Sequence, residues 1–136
     1  MKNIDLAWLV DDDKIYTYVM TRQLQQLDCC GKLETFGNGQ QAIDALQSNS
    51  GNAGELPSLI LLDLNMPVLD GWQFLDQFAE LRLSKRVCIY IVSSSIDPLD
   101  HDRIQQYNCV ANFYVKPVKR DDIQQIIAEV KRLVDQ

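Results

Sequence analysis

The sequence predicts a three-layer α/β fold, in which a five-stranded parallel sheet has helices on both of its faces. Two observations lead to this prediction. Segments with the composition of buried strands alternate five times with segments of helical periodicity, a pattern typical of parallel sheets with right-handed crossovers. Two of the strands, Leu6–Val10 and Leu59–Leu62, are continuous apolar runs followed directly by aspartates, as expected for strands buried on both faces.

The predicted strands are short, and polar or turn-forming residues follow them. The apolar run after Pro57 is too short for a lone helix, which favours a strand. Gly37-Asn38-Gly39 is a turn signal after the second strand, and residues 48–55, rich in Ser, Asn and Gly, indicate a flexible surface loop. In chain order, the predicted strands are Leu6–Val10, Leu33–Phe36, Leu59–Leu62, Val87–Val92 and Asn112–Val115.

Apolar residues at helical spacing predict a helix after every strand. In the first helix, Lys14–Leu27, the residues expected to form one inner face are Ile15, Val19, Met20, Leu24 and Leu27. The next two helices have inner faces formed by Ala42, Ile43 and Leu46 and by Trp72, Leu75, Phe78 and Leu81. A weaker polar helix follows over Pro98–Tyr107, and the last helix has Asp121 and Asp122 in its first turn.

Length and composition exclude several classes of protein. The 136 residues suffice for one domain, and no apolar run approaches the roughly 20 residues of a membrane span. The net charge of −6 argues against nucleic-acid binding. Met1–Asp5 has no signal-peptide core, and the four cysteines lack zinc-site spacing. We therefore expect a cytoplasmic protein with free thiols, which binds neither nucleic acid nor membranes.

Polar residues follow four of the five predicted strands and converge on one edge of the sheet, where ligands bind in open parallel sheets. They are Asp11, Asp12, Asp13, Asp63, Asn65, Ser93 and Lys116. Clustered carboxylates repel one another and attract a hard cation, and Mg²⁺ takes oxygen ligands of this kind. An ammonium and a hydroxyl beside such a cation would hold a phosphoryl group, and a carboxylate can itself be the nucleophile.

At this point the residues carry a family resemblance. The run Asp63-Leu64-Asn65-Met66-Pro67, followed by Asp70-Gly71, resembles the motif of receiver domains in two-component response regulators. Val10-Asp11-Asp12, Val92-Ser93 and Lys116-Pro117 match that family in order and spacing. The resemblance extends over essentially the whole chain. It implies a flavodoxin-like (βα)5 fold and a single receiver domain over residues 1–136, of the single-domain, chemotaxis-regulator type.

The resemblance also implies roles for individual residues. Asp63 would be the phosphoacceptor, served by a histidine kinase or a phosphotransfer protein. Mg²⁺ would be bound by Asp11, Asp12, Asp63 and the backbone carbonyl of Asn65. Lys116 would pair with the phosphate, and the Lys116–Pro117 peptide would be cis, as is usual in the family. Ser93 would be the switch hydroxyl and Phe113 the switch aromatic.

The expected function is a phosphorylation switch and not an enzyme. By resemblance, the fourth helix, fifth strand and last helix would form a face that meets an unknown downstream protein. Three departures from the family pattern remove no functional group. They are Cys109-Val110-Ala111, where many members carry Gly-Ala, the additional carboxylate of Asp13, and the long loop over residues 48–55.

Three alternatives stay open at this stage. An aspartate-nucleophile phosphohydrolase usually has a second Asp two residues after the nucleophile, where this chain has Asn65. A flavodoxin-like mononucleotide binder would need a phosphate cradle after the first strand, where this chain has three aspartates. A degenerate receiver would act as a phosphorylation-independent scaffold, although every phosphorylation residue is present. Substrate turnover and phosphorylation assays discriminate among them.

Overall fold

The sheet has the predicted parallel architecture. The computed structural model of the protein describes residues 4–94 and 96–134, so Met1–Asn3, Ser95, Asp135 and Gln136 lie outside the described residues. The five strands are all parallel and are arranged in the order β2-β1-β3-β4-β5. They are β1 (Ile4–Val10), β2 (Cys30–Phe36), β3 (Leu59–Leu62), β4 (Cys88–Ser93) and β5 (Val110–Val115).

A helix follows every strand, as the alternating pattern predicts, and the α/β fold class is confirmed. The helices are α1 (Lys14–Leu27), α2 (Gly39–Ser48), α3 (Gly71–Phe78), α4 (Pro98–Ile104) and α5 (Arg120–Val134). The long loop after α2 contains one 3₁₀ turn over Ala53–Glu55, and the fully buried Leu56 follows it. No helix among the described residues is long and apolar enough to span a membrane.

The sheet separates two hydrophobic clusters. Alternate residues of β1 point to opposite sides, so Trp8 packs with α2, α3 and α4 while Leu9 packs with α1 and α5. β3 and β4 are buried along their whole length, which explains why their sequences are continuous apolar runs rather than alternating ones. Both faces of the central sheet are therefore core.

The predicted inner face of α1 is partly wrong. Met20 and Leu24 are buried, but the side chains of Ile15 and Val19 are 79% and 46% exposed. Tyr16 packs against the core in their place. Tyr16, Met20 and Leu24 are each four residues apart, and this row faces the sheet because residues four apart share one side of a helix.

Several elements end at other residues than predicted. α3 ends at Phe78 rather than near Leu81, and α4 ends at Ile104 rather than at Tyr107. Leu81 and Tyr107 pack against the core from tight turns, so their apolar character reflects burial outside a helix. The second and fifth strands begin earlier than predicted, at Cys30 and Val110, because backbone pairing with β1 and β4 extends through less apolar residues.

Candidate functional site

Three carboxylates meet at the carboxyl edge of the sheet. β1 and β3 pair in register at Val10 and Leu62, which brings the residues after them side by side. The N–H of Asp63 donates to the carbonyl of Val10 over 3.0 Å, so Asp63 continues the strand pairing. Asp11, Asp12 and Asp63 each offer an oxygen within 4.8 Å of the other two. This oxygen donor set suits Mg²⁺.

The three carboxylates differ in exposure. Asp11 and Asp63 are buried, with 8% and 5% of their surface exposed, whereas Asp12 is exposed. Asp11 also accepts a hydrogen bond from the N–H of Asp13 over 2.9 Å. Of the three, only Asp12 therefore presents its carboxylate to solvent.

Asp13 does not join this group. It occupies the N-cap position of α1, where its side chain accepts a hydrogen bond from the N–H of Tyr16 over 3.0 Å. A carboxylate at this position satisfies an unpaired donor of the first helical turn and complements the helix dipole. As predicted, Asp13 follows the first strand at the carboxyl edge of the sheet, but its carboxylate lies outside the cluster of Asp11, Asp12 and Asp63.

Lys116 brings a positive charge into the acidic site from the end of β5. Its Nζ lies 2.8 Å from Asp11 Oδ2 and 3.7 Å from Asp63 Oδ2. Its backbone N–H donates to the carbonyl of Ser93 over 2.8 Å, and the Lys116–Pro117 peptide is cis, as predicted. The side chain is only 13% exposed, so its charge acts where water screens it weakly.

Ser93 and Asn65 close the opposite side of the site. Ser93 ends β4 and is fully buried, and the Asn65 side-chain amide donates to its hydroxyl over 3.4 Å. The N–H of Asn65 donates to Asp63 Oδ1 over 3.3 Å. The structure thus brings Asp63 together with the predicted residues at the ends of β1, β4 and β5.

Burial controls the charge of Asp63. Loss of solvent raises the pKa of its carboxyl from 3.8 to about 6, and the nearby charge of Asp11 adds to the increase. The ammonium of Lys116 and the N–H of Asn65 oppose this shift, and Asp12 contributes a smaller increase. A cation bound among these carboxylates would favour the ionised form, which is the nucleophilic one.

The Asp70-Gly71 pair fixes the loop that carries Asp63. Asp70 caps α3 in a capping box with Gln73, in which each side chain bonds the backbone of the other residue. A Cβ on Gly71 would lie 2.7 Å from the carbonyl oxygen of Asp63 and 2.7 Å from Leu64 Cα. Only glycine allows α3 to begin this close to the end of β3.

Phe113 lies on β5, outside the cluster of charges. It is half-buried against the cluster formed with α2, α3 and α4, and it pairs in register with Ile91. The ring of His101, on α4, contacts it edge-on with centroids 4.5 Å apart. The residue is therefore placed between the sheet and α4.

Tyr16 is the residue at this site that the sequence reasoning missed. Its ring lies beside the charged cluster, with Lys116 Nζ 4.3 Å from the ring centroid. Burial raises the pKa of its phenol, and the charges of Asp11 and Asp63 raise it further. The spacing of Tyr16, Met20 and Leu24 is the sequence signal that identifies it as inward-facing.

Comparison with known proteins agrees with this geometry. The family model described as the response regulator receiver domain matches residues 7–128. The chain belongs to this family. The receiver domain is 30% identical over 131 residues to the DNA-binding transcriptional regulator NtrC of Klebsiella pneumoniae, covering 95% of this chain and 24% of that protein. The chain thus spans about a quarter of that relative's length.

Solved structures resemble this receiver domain over nearly its full length. A two-component response regulator from Cytophaga hutchinsonii is similar with a TM-score of 0.86 and 27% identity, over 97% of this chain and 99% of that one. The receiver domain of sensor histidine kinase PA1611 from Pseudomonas aeruginosa has a TM-score of 0.76 and 22% identity, over 94% and 98%. That structure has a magnesium ion coordinated in its active-site cleft.

Proposed function

We propose that this receiver domain is a phosphorylation switch in which Asp63 accepts a phosphoryl group from a histidine kinase or a phosphotransfer protein. The observation that carries the proposal is the surroundings of Asp63. This carboxylate lies at the end of a buried strand, within 4.8 Å of two further carboxylates and 3.7 Å from an ammonium. Such a site neutralises phosphate oxygens while leaving a carboxylate oxygen to attack phosphorus.

The proposed transfer makes one bond and breaks one. An oxygen of ionised Asp63 attacks the phosphorus, an O–P bond forms, and the bond between phosphorus and the donor histidine nitrogen breaks. The electron pair of that bond stays on the imidazole, which leaves as the neutral base after taking up a proton. Lys116 lies between Asp11 and Asp63 and can pair with the new phosphoryl group without a large movement.

Mg²⁺ is the proposed cofactor, and it would supply positive charge for the phosphate oxygens. The exposed Asp12 and the acceptor Asp63 would contact it directly, together with the carbonyl of Asn65. Asp11 would act mainly through water, because it is already engaged by Lys116 and by the N–H of Asp13. Asp12→Ala should therefore weaken Mg²⁺ binding more than Asp11→Ala in titration calorimetry, and Lys116→Ala should not weaken it.

The proposed output is a change of surface and not turnover of a substrate. A phosphoryl oxygen on Asp63 would compete for the hydroxyl of Ser93, which in the unphosphorylated protein accepts from Asn65. Movement of Ser93 would allow Phe113 to turn inward, and the surface between α4, β5 and α5 would change. A downstream protein would recognise that surface, while nucleic acid and membranes are not proposed as partners. The cytoplasmic location stays a prediction.

Phosphorylation with acetyl phosphate tests the acceptor. With Mg²⁺, intact-mass spectrometry should show one added phosphate that is lost in hydroxylamine, and chelation of Mg²⁺ should prevent its formation. Asp63→Asn should abolish it, because an amide is not a nucleophile here. Asp70→Asn is the matched control, since Asn also caps helices and Asp70 lies outside the cluster.

Two results would contradict the proposal. Equal labelling of Asp63→Asn and the wild type would place the acceptor elsewhere. Continuous release of phosphate from simple phosphomonoesters would instead support a phosphohydrolase.

A further inference from the structure

Tyr16 lies beside the proposed phosphorylation site, packed against residues of the core. Its backbone N–H is fixed by the Asp13 cap, and its ring packs on the cluster formed with α1 and α5. The ammonium of Lys116 lies 4.3 Å from the ring centroid, within the range of a cation–π contact. The ring therefore covers Lys116 on the side that faces α1, while Asp11 and Asp63 hold the ammonium electrostatically.

The hydroxyl of Tyr16 is an unsatisfied buried hydrogen-bond donor in the unphosphorylated protein. It is sealed from solvent, and it has no hydrogen-bond partner among the described residues. A buried donor without a partner is costly and uncommon in folded proteins. The charges of Asp11 and Asp63 are near enough to act on this phenol electrostatically. The ring lies against Lys116, whose Nζ is 3.7 Å from Asp63 Oδ2, so this unsatisfied donor belongs to a residue that borders the carboxylate at which a further acceptor would arrive on phosphorylation.

We propose that the Tyr16 hydroxyl donates a hydrogen bond to the phosphoryl group carried by Asp63, and so stabilises the phosphorylated state. This inference rests on the proposed function, because the acceptor exists only after phosphoryl transfer. Tyr16 is not among the residues that match the phosphorylation motif. It would add a donor from α1 to the ammonium of Lys116 and the hydroxyl of Ser93, which come from β5 and β4.

Beryllium fluoride, which imitates a phosphoryl group on an aspartate, provides the test. In titration calorimetry with Mg²⁺, Tyr16→Phe should bind it about tenfold more weakly than the wild type, the effect of a lost hydrogen bond to a charged acceptor. Phenylalanine keeps the ring over Lys116. The variant should unfold at an equal or higher denaturant concentration, because it loses only an unpartnered hydroxyl.

Tyr114→Phe is the matched control. The Tyr114 hydroxyl is also buried and without a hydrogen-bond partner among the described residues, but the charges that act on it are those of Glu129 and Asp122, both on α5. Removing the Tyr114 hydroxyl should leave the affinity for beryllium fluoride unchanged. A second measurement uses the wild type alone: with ¹³Cζ-labelled tyrosine, the Tyr16 signal should shift when beryllium fluoride is added to protein already saturated with Mg²⁺.

The outcomes separate this inference from the function on which it rests. Equal affinity of Tyr16→Phe and the wild type would overturn the inference and leave the proposed acceptor intact. A Tyr16 signal that does not shift when beryllium fluoride is added to the Mg²⁺-saturated wild type would also overturn it, since the hydroxyl would then have gained no new acceptor. Failure of the wild type itself to bind beryllium fluoride would overturn the proposed function, and the inference with it.

Discussion

The central and edge strands of the sheet have different surroundings. β3 and β4 are buried along their whole length, and β1 has a single exposed residue, Asp5. β2 and β5, at the two edges, contain no fully buried residue. Packing on both faces holds the ends of the central strands in place, because interiors are close-packed and resist displacement. The edge strands have fewer such restraints.

The residues of the site divide along the same line. Asp11, Asp63 and Ser93 come from the central strands and are buried. Lys116 and Phe113 come from the edge strand β5 and are only partly buried. Packing at the centre of the sheet therefore restrains the carboxylates, while Phe113, on the less restrained edge strand, is the group for which the larger movement is proposed.

The largest expected effect concerns the buried charge at the centre. Because the pKa of Asp63 is raised to about 6, folded protein holds a proton that the unfolded chain releases above pH 3.8. The stability from this group is therefore present below about pH 3.8 and is lost as the pH rises to about 6. At 1.36 kcal/mol per pKa unit, the loss is about 3 kcal/mol as an upper estimate.

Asp63→Asn should remove this loss. In chelator, its free energy of unfolding should equal that of the wild type near pH 4 and exceed it by about 1–3 kcal/mol at pH 8. Urea denaturation across this pH range measures the difference. Asp102→Asn, at an exposed position of α4, is the control and should show no such trend. A stabilisation of the same size at every pH would contradict the assignment to ionisation of Asp63.

The same contrast explains what the sequence could predict. Buried central strands are continuous apolar runs, so the sequence predicts β3 and its terminal Asp63 directly, and parallel topology predicts that the other strand ends lie at the same edge. Edge strands are mixed in composition, so the apolar pattern does not predict Cys30 and Val110 as their first residues. The first turn of α1 contains apolar residues on two sides, so the pattern favours Ile15 as inward-facing, whereas the structure places Tyr16 there. Side-chain placement there depends on the core, not on spacing alone.

The second prediction concerns the connection between centre and edge. Ser93→Ala should still bind Mg²⁺ and accept phosphate on Asp63. It should fail to move Phe113 when beryllium fluoride binds, because the missing hydrogen bond to a charged acceptor is worth about 1.5–3 kcal/mol, enough to shift a two-state equilibrium about tenfold or more. Aromatic-proton NMR of Phe113 measures this movement.

A second buried serine provides the control for Ser93. Ser58 is 2% exposed and directly precedes β3, at the end of that strand opposite Asp63. Ser58→Ala therefore changes a buried hydroxyl that lies away from the site. Its Phe113 signals should respond as in the wild type. Full movement of Phe113 in Ser93→Ala would show that the centre and the edge are not coupled through this hydroxyl.

The smallest expected effect concerns the backbone conformation of the loop between the central strand β3 and α3. Val68, between Asp63 and α3, has a φ of 68° and a side chain that is 77% exposed. This left-handed conformation is unfavourable for a β-branched residue but tolerated by Asn. Val68→Asn should therefore raise the free energy of unfolding by about 1 kcal/mol, measured by urea denaturation. Because backbone hydrogen bonds of Leu69 and Gly71 fix the loop just after Val68, Mg²⁺ affinity should not change; altered Mg²⁺ affinity would mean that the strain at Val68 shapes the site.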